Sequence, residues 1–128
     1  MSIRTVLFDL DGTLADTAPD LAQTLNTLLA EEGRTALPYA VIRPEVSHGA
    51  AALLRLGFGD VDAGELERLR ARFLALYADN LVRHTRLFPG MEELLAELKR
   101  HGLNWGIVTN KPAFLTEPLV AQLKLAHP

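Results

Sequence analysis

The chain contains no cysteine. Disulfides and thiolate metal sites are therefore excluded, and a reducing compartment is allowed. No apolar run approaches the length of a membrane span. Met1-Ser2-Ile3-Arg4 leads straight into an apolar stretch and leaves no room for a signal peptide, so the expected location is the cytoplasm. A large excess of either charge is lacking too. The net charge of −3 gives no electrostatic case for nucleic-acid binding. What remains is a globular composition, 48% hydrophobic and 23% charged, in 128 residues, enough for one ordinary domain with a modest core.

The organising stretch is Val6-Leu7-Phe8-Asp9-Leu10-Asp11-Gly12-Thr13. Thr5 to Phe8 form a short apolar run without polar alternation, which suits a strand buried in a parallel sheet. It stops at two carboxylates two positions apart. Their mutual repulsion costs energy unless a cation or a proton sits between them. An apolar strand ending in Asp-x-Asp-Gly-Thr therefore reads as a site, with Mg²⁺ as the expected cation. An acidic turn after a core strand is the plain alternative.

The next seventy residues are helical in pattern. Asp16 or Thr17 can cap a first helix, with Pro19 in its first turn and Leu21, Leu25, Leu28 and Leu29 on one face. Gly33 is a stop. Leu37-Pro38 opens a short second helix that Pro44 ends or bends, and Ser47 can cap a third running to Gly57. Asp62 starts a long fourth helix with Leu66, Leu69, Phe73, Leu76, Tyr77 and Leu81 on its stripe. Glu65, Glu67, Arg68, Arg70 and Arg72 are read as its solvated face. Residues 17–86 thus form one helical insert without a strand signal, able to pack as a small bundle.

An α/β pattern follows. Phe88-Pro89-Gly90 turns into a helix with Met91, Leu94, Leu95 and Leu98 buried, ended by Gly102. Leu103 to Val108 make a second strand, which stops at Thr109-Asn110-Lys111-Pro112. A last helix carries Leu115, Leu119, Val120 and Leu123. Since Pro118 suits only a first turn, this helix is expected to start near Thr116. In a parallel sheet the carboxyl ends of neighbouring strands share one edge, which brings Thr109 towards Asp9. A helix cap is the plain alternative for Thr109 or Asn110.

Asp9-Leu10-Asp11-Gly12-Thr13 after its strand resembles the first motif of the haloacid dehalogenase (HAD) superfamily of aspartyl-phosphate phosphatases. Leu14-Ala15-Asp16-Thr17-Ala18-Pro19-Asp20 resembles the phosphoglycolate phosphatase branch, as do Leu87 to Met91 and Gly102 to Pro112. Trp105-Gly106 and Thr116-Glu117-Pro118-Leu119 resemble a sister group acting on N-acetylmuramic acid 6-phosphate. Thr109-Asn110 resembles the second family motif. The resemblance implies an α/β fold: a Rossmann-like parallel-sheet core at 1–16 and 87–128, incomplete in this chain, with an inserted all-α cap at 17–86.

It also implies roles. Asp9 would be the nucleophile and Asp11 the general acid, then base. A carboxylate is ionised at pH 7, so a nucleophilic one needs positioning rather than a base. Mg²⁺ would be held by Asp9 and by Asp11 through its backbone carbonyl. Gly12 would permit the turn, Thr13 would hold Asp11, and Thr109 and Asn110 would grip the phosphate. Arg43, His48 and Arg55 are the polar cap residues of first interest, with surface charge as the plain reading or, for His48, a helix-start residue.

The pattern departs from the family in one respect. Members carry a downstream Lys and an acidic pair, and neither follows before Pro128. Lys111 belongs to the second motif, and Lys124 lies too close to Thr109. The expectation is the N-terminal portion of a longer phosphatase with very weak or no turnover. The partner is a small phosphate ester, with no nucleic acid and no membrane. Two other readings stay open: a phosphosugar mutase using the same aspartyl-phosphate, and a silent fragment that self-associates through its uncovered core.

Overall fold

The computed structural model describes residues 4–123. Met1 to Ile3, read as leading into the first strand, and Lys124, read as part of the last helix, lie outside them.

The apolar run becomes strand β1 (Thr5–Asp9), and the Trp-Gly run becomes β4 (Asn104–Val108). The two pair in parallel, with Thr5 opposite Asn104 and Asp9 opposite Val108. Phe8 and Trp105 meet edge-on beside this ladder, their ring centroids 6.4 Å apart. Two short strands, β2 (Ala15–Asp16) and β3 (Arg86–Leu87), pair antiparallel. Arg86 therefore adds strand at the end of a stretch that reads as wholly helical.

Between β2 and β3 run α1 (Ala18–Glu31), α2 (Tyr39–Ile42), a 3₁₀ turn (Arg43–His48), α3 (Ala50–Phe58) and α4 (Ala63–Ala78). Pro44 stands at the start of the 3₁₀ turn, so it bends the chain. The leucine stripe of α1 is buried, with Leu25 and Leu28 fully so, against Leu53 and Leu54 of α3 and Leu69 and Phe73 of α4 within one core. Each such side chain contributes about 2 kcal/mol by leaving water. Arg68 and Arg72 of α4 pair with Glu32 and Glu31 at the far end of α1. These pairs are solvent-exposed and add little to stability.

The remaining elements are α5 (Met91–Arg100) and α6 (Ala113–Gln122). On α5, Leu95 is buried but Leu94 is exposed, contrary to its pattern. It sits one helical step away from the side that meets the sheet.

Several helix starts differ from expectation. The N-cap of α3 is Gly49, not Ser47, which lies within the 3₁₀ turn. Thr17 is the N-cap of α1, yet its side chain makes no capping bond. Helix α6 begins at Ala113, and Pro118 lies inside it. Pro118 cannot donate to the carbonyl one turn earlier, at Phe114. Both residues are exposed, so water can satisfy that carbonyl. Among the described residues no helix is long and apolar enough to cross a membrane.

Candidate active site

The site lies where β1 and β4 end. Their parallel register sets Asp9 opposite Val108 and so beside Thr109. Asp9, Thr109 and Asn110 line one open hollow of about 320 Å³, together with Ser47 from the 3₁₀ turn. Asp9 is exposed, and among the described residues its Oδ1 accepts only a local bond, from the Leu10 N–H at 2.9 Å. Thr109 Oγ1 accepts from the Lys111 N–H at 3.1 Å. The hydroxyl proton of Thr109 stays available to a ligand.

Beyond Asp9 the chain folds back tightly. Gly12 N–H donates to the Ala15 carbonyl and Ala15 N–H to the Leu10 carbonyl, each at 3.0 Å. Gly12 has φ +81°, a conformation that side chains rarely adopt. This turn aims Asp11 away from Asp9, into a second, more enclosed cavity of about 220 Å³. Asn110 lines both spaces. Gly49 lets the insert approach it: a Cβ there would stand 3.4 Å from Asn110 Nδ2, at φ +92°.

Asp11 is buried and firmly held. Its Oδ1 accepts from the Thr17 hydroxyl at 2.7 Å and lies 3.1 Å from Lys111 Nζ. Thr13, expected to hold Asp11, is exposed; Thr17 takes that role and thereby forgoes capping α1. The Lys111 ammonium also donates to the Tyr77 hydroxyl at 2.9 Å and stands 4.3 Å from the centre of that ring. Burial pulls the Lys111 pKa below its usual value, opposed by the Asp11 charge. Burial pushes the Tyr77 phenol up, and the charges of Asp11 and Asp20 push it further.

A third carboxylate was missed by sequence reasoning. Asp20 is buried in α1 and accepts from the N–H groups of Arg83, His84 and Thr85 and from the Thr85 hydroxyl, at 2.8 to 3.0 Å. It clamps the returning chain to the start of the insert. Two of the three polar insert residues singled out in the sequence lie away from the Asp11 cavity. Arg43 bonds Asp16 and Tyr39, and Arg55 is exposed. His48 does line the cavity, and so does Arg70, read as solvated. The signal was its spacing from Phe73, Leu74 and Tyr77, which share one helical face.

The donor set can be weighed against Mg²⁺. Among the described residues no group of three or more His, Asp or Glu side chains could hold a metal. An ion that keeps several waters needs only one or two carboxylates and further hard oxygens. The exposed Asp9 carboxylate and the Asp11 carbonyl are such donors, so the residues fit Mg²⁺ in kind.

Comparison with known proteins follows the same lines. The model of a family described as haloacid dehalogenase-like hydrolase matches residues 3–127. Over 128 residues the chain is 46% identical to an N-acetylmuramic acid 6-phosphate phosphatase of Pseudomonas putida, covering 99% of this chain and 57% of that protein. Over 120 residues it is 45% identical to a phosphoglycolate phosphatase of Xanthomonas campestris, covering 94% and 54%. The crystal structure of a predicted phosphoglycolate phosphatase from Haemophilus somnus superposes with a TM-score of 0.82 at 27% identity, covering 94% and 57%. The chain spans about half the length of the curated relatives it matches.

Proposed function

Because the chain belongs to the haloacid dehalogenase-like hydrolase family, we propose that it hydrolyses a small phosphomonoester through an aspartyl-phosphate on Asp9. The observation that carries this is the β1–β4 register, which puts an exposed carboxylate beside a hydroxyl at one sheet edge.

The phosphoryl group enters the hollow, held by Thr109 and Asn110. An Asp9 oxygen bonds to phosphorus as the ester P–O bond breaks, and the departing alkoxide takes a proton from Asp11. Water then gives a proton back to Asp11 and attacks the phosphorus. This releases inorganic phosphate and restores the Asp9 carboxylate. Mg²⁺ held by the Asp9 carboxylate and the Asp11 carbonyl would offset charge on the phosphoryl oxygens. The helical insert acts as a cap that excludes water and selects the leaving group. Among the described residues no group of three or more His, Asp or Glu could complete a metal shell, so turnover by the 128-residue chain is expected to be slow.

The test uses phenyl phosphate, 2-phosphoglycolate and N-acetylmuramic acid 6-phosphate, with Mg²⁺ and with chelator. Phosphoryl-protein is trapped in acid and located by mass spectrometry. The expected result is a label on Asp9 and hydrolysis that falls about 10³-fold or more in Asp9→Asn and with chelator. Hydrolysis that survives both changes would overturn the reading.

A further inference from the structure

The two spaces at the site divide a substrate between them. The hollow with Asp9 takes the phosphoryl group, and Asp11, the proton donor to the leaving oxygen, faces the enclosed cavity. The carbon part of the ester therefore enters that cavity. Its charged lining is uneven. Lys111 is partnered there, 3.1 Å from Asp11 Oδ1 and donating to the Tyr77 hydroxyl at 2.9 Å. His48 is 3.0 Å from Glu45. Arg70 makes no ion pair among the described residues.

Its neighbours on α4 behave differently. Arg68 pairs with Glu32 and Glu65, and Arg72 pairs with Glu31. Two residues along a helix is about 200° of rotation, so Arg70 points the opposite way. It shares a face with Phe73, Leu74 and Tyr77, at spacings of three, four and seven, and all four line the cavity. A half-buried guanidinium on an otherwise apolar and aromatic stripe carries charge that the cavity does not balance. We propose that Arg70 is a specificity-determining residue that receives a carboxylate on the leaving group of the ester. A planar guanidinium can hold a carboxylate by two parallel N–H bonds, which an ammonium cannot match. The assignment deepens the phosphatase reading above and rests on it.

Two ligands of similar size separate the outcomes: 2-phosphoglycolate, and ethyl phosphate, which lacks the carboxylate. Calorimetric titration gives the ratio of their dissociation constants for the wild type, Arg70→Gln and Arg70→Lys, with thermal melts to verify folding. The wild type is expected to prefer phosphoglycolate about tenfold or more, the low end for a charge-assisted pair. The ratio should collapse towards one in Arg70→Gln and survive in part in Arg70→Lys. A ratio that persists in Arg70→Gln overturns the assignment. Wild-type protein that hydrolyses phenyl phosphate yet binds both ligands equally overturns it too, and leaves the phosphatase reading standing. Wild-type protein that neither binds nor hydrolyses any of these esters overturns both.

Discussion

The Thr17 hydroxyl donates to Asp11 Oδ1 across 2.7 Å, with both side chains buried. The first residue of the helical insert thus holds the side chain proposed to move the proton. Thr17→Val keeps the shape and removes the donor, leaving Lys111 as the hydrogen-bonding partner of that oxygen. We expect a loss of about 1–2 kcal/mol in urea unfolding. Phosphate-ester hydrolysis should fall by about tenfold, as expected for a misplaced acid. An unchanged rate in single-turnover assays would show that Thr17 only fills space.

Asp20 gathers three backbone N–H groups and one hydroxyl on a single buried carboxylate. Asp20→Ala takes the acceptor from all of them and strands the buried N–H and hydroxyl of Thr85. The expected cost is about 3–5 kcal/mol. Asp20→Asn keeps one acceptor oxygen and should cost less. Denaturant midpoints of the two variants check the order, and a loss below about 1 kcal/mol in Asp20→Ala would contradict the clamp.

Tyr77 sets an alkaline limit. The unfolded chain gives up the phenolic proton near 10, while burial and the nearby carboxylates keep it on the folded chain to higher pH. The folded state then binds more protons, so stability falls as pH rises above about 10. Lys111 works the other way. Its lowered pKa means the unfolded state holds the extra proton, and stability rises as pH climbs towards 10.5. Tyr77→Phe removes the phenolic proton and, with it, the bond from Lys111. Melts at pH 8 and pH 11 should show the variant gaining on the wild type at the higher pH. A constant difference would refute this.

The legible parts of the sequence were those with a period or an abrupt stop. Thr5 to Phe8 ending at Asp9, and Leu103 to Val108 ending at Thr109, predicted both strands and their common edge, but not their burial: Leu7 and Val108 are exposed. The leucines of α1 predicted its buried face. The polar contacts were not legible in the same way. Thr17 suits a cap by residue type, and only the fold reveals Asp11 as a stronger partner. Asp20 bonds residues more than sixty positions away, which no local pattern encodes. Arg70 is flanked by charges that do face solvent, so composition outweighed its spacing. Pro118 is tolerated inside α6 because its turn faces water, and exposure is a property of the folded chain.

The pairing of Ala15 with Leu87 and of Asp16 with Arg86 has a consequence for how this protein could diversify. The strands that begin and finish the excursion lie about 5 Å apart. A segment whose ends are that close can be lengthened, trimmed or exchanged while the flanking strands stay in register, because closing a longer loop adds little entropy. The hollow around Asp9 and Thr109 is then kept while the helical excursion beside it is rewritten.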